Sequence, residues 1–129
     1  MIKQAHLFVL LLVLPGATAA FAQEAPRHEK ITYPMPEQVK TVMINKCYDC
    51  HYDGEKDEEA KAGLNFNTLD QLGKIKQLAV FSNIQKEIEK GAMPPNKFVT
   101  KYPEAALTKA ESDLLTEWVK KESAALLKQ

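Results

Sequence analysis

Two cysteines, Cys47 and Cys50, are all that the 129 residues contain, too few for the multiply bridged scaffold of a small disulfide-rich protein. Charge of one sign is also missing: 17 Lys and Arg stand against 17 Asp and Glu. Without a basic stripe, no nucleic-acid partner is expected. The main apolar run, residues 7–14, is too short to cross a bilayer. Alternating strand patterns and internal repeats are absent, which leaves an all-α chain. No candidate acid–base pair or substrate-site signature stands out, so the chain is not expected to be an enzyme.

What is present at the N-terminus has the layout of a secretory signal. Lys3 forms a basic start and residues 7–14 an apolar centre. Pro15 and Gly16 break the run, and Ala20-Phe21-Ala22 offers a small-x-small cleavage pattern. Cleavage is expected after Ala22, with Ala20 as the neighbouring possibility. No cysteine follows the cut to carry a lipid. The reading gives residues 1–22 as signal peptide and a periplasmic or otherwise exported product. Loss of Lys3 leaves the acidic residues one in excess. The remaining 107 residues suffice for a modest core, to which a covalent cofactor would add a large apolar body.

Residues 23–35 have no sustained periodicity and read as an extended leader or mobile terminus. The domain proper is expected over residues 36–129. Pro36 suits the start of a helix, and Val39, Val42, Met43 and Ile44 carry it toward Cys50. Residues 53–61 are a charged run, read as a solvated loop. Asn67 or Thr68 can cap a second helix with Leu69, Leu72, Ile75 and Leu78 on one face. Ser82-Asn83-Ile84-Gln85 has the form of a capping box for a third, stopped by Gly91. Thr108-Lys109-Ala110-Glu111 opens a last helix with Leu114, Leu115, Trp118, Val119 and Leu126 in its stripe.

Cys47-Tyr48-Asp49-Cys50-His51 is a C-x-x-C-H motif, the signal for c-type haem attachment. On a helix, positions i, i+3 and i+4 share a face. Two thiols there can add across the two vinyl groups on one porphyrin edge, with the imidazole beneath the iron. Two other chemistries use the same residue types. A redox dithiol places its first cysteine at a helix N-terminus, whereas this pair ends one. Structural zinc needs four ligands, and no second Cys/His pair lies nearby.

An electron carrier of this kind needs a sixth iron ligand, for which the candidates are His28, Met35, Met43 and Met93. His28 and Met35 lie in the leader, and Met43 sits one turn before Cys47, where core packing explains it. Met93 follows the stop at Gly91 and precedes Pro94-Pro95, which hold it out of helical conformation on a stiff segment. A loop methionine also serves as core filler. Beside C-x-x-C-H, ligation is the favoured role. Thioether ligation raises the reduction potential relative to bis-histidine iron.

Over residues 46–119 the chain resembles the bacterial exported monohaem "haem-binding domain" family, relatives of class I cytochromes c. The resemblance rests on residues 47–51, Gly63-Leu64-Asn65-Phe66, Ile88-Glu89-Lys90-Gly91-Ala92-Met93-Pro94, and residues 102–108 with Glu111 and Trp118. Where many relatives carry an aromatic segment after the motif, this chain has its charged run. Phe98 stands where relatives often have Tyr, and Tyr102 where they often have His. The resemblance implies a cytochrome c-like bundle of about four helices around one covalently attached haem c, its first and last helices packed together. It implies attachment at Cys47 and Cys50 with His51 and Met93 as the axial metal ligands. Leu64, Phe66 and Phe98 are the expected pocket walls. One-electron transfer between redox partner proteins follows as the expected function, by a monomer that can dock on a membrane-bound redox complex. The alternative is a haem-based gas or redox sensor with an open sixth iron position.

Overall fold

A computed structural model describes residues 31–54 and 57–129. The signal segment 1–22 and the leader up to residue 30 lie outside the described residues. Among those described there are five α-helices and no strand, so the all-α expectation is met. They are α1 (Glu37–Met43), α2 (Glu58–Gly63), α3 (Lys74–Glu89), α4 (Asn96–Lys101) and α5 (Lys109–Leu127). None is long and apolar enough to cross a membrane.

Pro36 takes the N-cap of α1 and buries nothing; Val39, Val42 and Met43 form the buried face. The expected helix to Cys50 changes character on the way. Residues Ile44–Tyr48 form a π-helical turn, a widened element that often marks functional sites. Beyond it the chain tightens again, with Cys50 N–H donating to the Cys47 carbonyl at 3.2 Å and His51 N–H to the Tyr48 carbonyl at 3.0 Å. The change of pitch buries Tyr48 completely and keeps Cys47 half-exposed.

The helices expected to start near Asn67 and at Ser82 correspond to one. A 3-10 turn at Leu69–Gln71 is followed by a break, then α3 runs unbroken through Ser82 to Glu89. Ser82 is exposed mid-helix and caps nothing. Ile75, expected on the buried face, is 83 % exposed, because the break at Leu72-Gly73 resets the phase. The buried amide of Gln77 donates to the Leu69 carbonyl at 3.1 Å and ties α3 to the 3-10 turn. Gly91 does end the helix, at φ +63°, a conformation a residue without Cβ adopts freely. The charged run also departs from expectation. Its second half is helix α2, capped by Asp57.

The core lies between α3 and α5, which form the main helix pair, with α1 also packed on α5. Phe81 of α3 meets Trp118 of α5 edge-on, at 5.4 Å between ring centres and 80° between planes. Tyr33 completes the cluster against both rings, at 5.5 Å and 6.1 Å. Trp118 therefore anchors α5 on α3. The end of the leader is also corrected. Residues 31–35 take no regular secondary structure, but Ile31 and Tyr33 are buried in the core and Tyr33 O–H donates to Glu122 at 3.0 Å. The packed body thus begins before Pro36. The capping box of α5 is present as read, with Glu111 N–H donating to Thr108 Oγ1 at 3.2 Å and Thr108 N–H to the Glu111 carboxylate at 2.8 Å. The Thr108 N–H holds the Glu111 carboxyl below its ordinary range.

Candidate functional site

The π-helical turn and its tightened end deliver Cys47, Cys50 and His51 to one cavity of about 630 Å³. Met93, Leu64 and Phe98 line the same cavity. It is floored by apolar side chains from three elements: Met43 of α1, Ile84 and Ile88 of α3, and Leu115 of α5. Six of the seven residues expected at the site are thereby brought together. Phe66 is not among them. It is fully buried in the core behind the motif, its ring 6.2 Å from that of Tyr48, and its N–H donates to the His51 carbonyl at 3.1 Å. Phe66 supports the backbone of the ligand rather than forming a wall, because the chain turns at residues 66–68.

His51 is held by backbone alone. Its Nδ1 lies 2.9 Å from the Ala60 carbonyl and 3.0 Å from the Leu64 carbonyl. Both partners can only accept, so Nδ1 carries the proton and Nε2 keeps its lone pair for a metal. An N–H donated to a backbone carbonyl is how a ligating histidine is commonly oriented and made more basic. Ala60 and Leu64 as acceptors were invisible in sequence, since any residue supplies a carbonyl. The capping residue Asp57 was the signal that could have revealed the helix carrying them.

Neither cysteine is in a disulfide. Burial pushes the Cys47 thiol up to about 12, with Cys50 and Glu111 adding to the rise. A redox-active pair needs a thiolate near neutral pH, and burial opposes one at Cys47. Among the described residues no three His, Cys, Asp or Glu side chains are grouped to hold a metal ion by themselves.

Two further devices shape the cavity. Lys46 reaches across to the carbonyls of Glu104 and Ala106, the second at 3.1 Å, and faces Glu111 at 4.0 Å. It thereby pins the segment before Leu107, another wall residue, to the turn that carries Cys47. Behind the motif, Tyr48 O–H donates to Asn67 at 2.9 Å, and Asn65 and Asn67 donate to Asp53 at 2.6 and 3.2 Å. This network ties the chain leaving His51 to the chain arriving at the 3-10 turn.

The residues present fit a haem. The volume lies within the roughly 300–1,000 Å³ of cofactor sites, and the walls are mainly apolar, with Phe98 as an aromatic wall and Lys46, Asp57, Glu59, Asn83 and Glu87 among the polar lining. The cavity carries the thiols of Cys47 and Cys50, an imidazole and a thioether.

Comparison with known proteins bears on the same point. A family model described as the haem-binding domain matches residues 54–121, more than half of the 129 residues. The match begins just after the C-x-x-C-H motif and takes in α2, Leu64, Met93, Phe98 and most of α5. No curated protein and no solved structure matches the chain. A family match over that span, on a helical body with this cavity, means that the chain belongs to the haem-binding domain family.

Proposed function

We propose that the chain is an exported monohaem c-type cytochrome that passes single electrons between redox proteins. The carrying observation is that Cys47, Cys50, His51 and Met93 line one apolar cavity. Cys47 and Cys50 would hold the haem covalently: addition of each S–H across a vinyl double bond, sulfur to one carbon and hydrogen to the other, would need no oxidant. His51, through Nε2, and Met93, through its sulfur, are the residues that would hold the iron. When bound, the haem supplies the redox change itself; the chain sets its ligands, its dryness and its exposed edge. Leu64, Phe98, Ile84 and Ile88 exclude water. Export is supported by the signal layout of residues 1–22 and by the oxidising compartments in which such attachment occurs.

The test has two parts. On denaturing gels the wild type retains haem peroxidase stain, whereas a Cys47→Ala/Cys50→Ala protein shows none. In the ferric spectrum, Met93→Ala removes the weak far-red band of methionine ligation, lowers the potential and opens iron to carbon monoxide. Met93→His keeps six-coordination at a lower potential. Met93 is 40 % exposed, which favours a second reading, a gas or redox sensor with its sixth position open. Ready carbon monoxide binding by the wild type, with Met93→Ala spectroscopically silent, would put the sensor first.

A further inference from the structure

Helix α2 has no evident reason to be a helix. It is six residues long and buries no side chain, and helices so short are unstable on their own. Yet its Ala60 carbonyl and the carbonyl of its C-cap, Leu64, are the two acceptors that fix the imidazole of His51. They form one unit, since Leu64 N–H also donates to the Ala60 carbonyl at 3.1 Å.

What holds α2 is therefore local. Asp57 at the N-cap accepts from the Glu59 and Ala60 N–H groups, each at 3.0 Å. Glu58 and Glu59 crowd the first turn and Lys61 the last, which suits the helix dipole. The Lys61–Glu58 pair at 2.7 Å is a surface pair and contributes little. The side-chain cap is the one strong fixture, and it bonds the N–H of the very residue whose carbonyl receives the His51 proton.

We propose that Asp57 is a positioning residue for the axial histidine, acting through α2 to keep Nδ1–H bonded and so to hold the reduction potential down. The inference rests on His51 ligating iron, as in the proposed function. A firm Nδ1–H donor bond makes Nε2 a more basic ligand, which favours ferric over ferrous iron. Loosening α2 weakens that bond and raises the potential.

Asp57 also lines the cavity, so its charge could act on the haem directly. The series Asp57→Asn, Asp57→Ser and Asp57→Ala separates the two effects in holoprotein. Asparagine and serine remove the charge but keep a capping oxygen; alanine removes both. The expected result is that exchange of the His51 Nδ1–H proton, read by NMR, stays near wild type in the first two. In Asp57→Ala it accelerates by roughly two- to thirtyfold, the range that loss of one cap spans. The potential rises most in the alanine protein. Equal potential shifts in Asp57→Asn and Asp57→Ala, with Nδ1–H exchange unchanged, overturn the proposal. If Asp57→Ala yields too little holoprotein, Asp57→Gln takes its place, since it also lacks the charge and its longer side chain misplaces the capping oxygen: accelerated exchange beside a wild-type rate in Asp57→Asn supports the cap, and a wild-type rate in both refutes it. A haem spectrum that survives His51→Ala would instead sink the ligand reading itself. The experiment can be run in a Met93→Ala background, so it does not depend on the sixth ligand.

Discussion

Tyr33 joins two stretches of chain far apart in sequence through a single proton. Burial first, and then the hydrogen bond and charge of Glu122, push its phenol from 10.0 to about 12. The folded protein thus keeps a proton that the unfolded chain gives up near pH 10. Below that pH the contribution is fully present; as pH rises through the folded value it is lost, because unfolding then releases a proton. Tyr33→Phe keeps the ring against Phe81 and Trp118 but removes the donor. It should cost about 1–2 kcal/mol at neutral pH. It should also flatten the fall of stability between pH 10 and about 12, measured by denaturant midpoints across that window. An equal alkaline slope in both proteins would show that the phenol is not the group involved. At this scale the sequence was legible where chemistry is carried by side-chain type. Cys47, Cys50, His51 and Met93 announce themselves, and all line the cavity. It was illegible where role depends on direction. Leu64 and Phe66 sit two apart, yet one lines the cavity and the other stacks behind the motif, where the chain enters its turn at residues 66–68. Tyr33 looked like part of a loose leader, since no local pattern reveals a partner 89 positions away.

At the scale of elements, the two capping boxes read from sequence had different fates, and stability measurements can tell them apart. Thr108 and Glu111 make both reciprocal bonds at the head of α5, so Thr108→Ala should lower stability by about 1 kcal/mol. Ser82 is exposed inside α3, so Ser82→Ala should change stability by no more than about 0.5 kcal/mol. Thermal unfolding of the two variants checks the contrast; comparable losses would contradict the single α3. The same pattern of letters had two outcomes because a cap is decided by whether the preceding chain is free to turn away. Before Thr108, the 3-10 turn Pro103–Ala105 leads the chain off. Before Ser82, the apolar positions Leu78 and Phe81 keep the helix on α5. Helix α2 was missed for the opposite reason: it has no buried face, so hydrophobic periodicity had nothing to report, and only its cap betrays it. The π-helical turn is the least legible feature, since the i, i+3, i+4 argument for the motif assumed an α-helix. Cys47, Cys50 and His51 still meet in one cavity because the wide turn is followed by a tight one.

Across the whole molecule, order is unevenly founded. One end is a solid body in which α3 and α5 close on Phe81, Trp118 and Val119, with Tyr33 wedged against the aromatic pair. Burying such side chains contributes about 1.5–3 kcal/mol each, and none of this packing needs a cofactor. The other end is built around the cavity, and its elements α2 and α4 bury no side chain of their own. Their fixed position rests on hydrogen bonds at the ends, and at the cavity on whatever fills it. Segments with few buried apolar contacts open at low free energy. Preventing haem attachment with Cys47→Ala/Cys50→Ala should therefore act on the molecule in a graded way. Amide hydrogen exchange should stay slow in the middle of α3 and α5, around Phe81 and Trp118. It should accelerate strongly in α2, in α4 and in residues 90–95, relative to the haem-loaded wild type. The cysteine changes themselves are small in volume and lie outside α2 and α4, so local damage would not mimic this pattern. Acceleration spread evenly over all five helices would mean that the aromatic end cannot stand without the haem. The cofactor would then be the centre of the whole core, and the division into a self-supporting body and a haem-dependent cavity wall would be wrong.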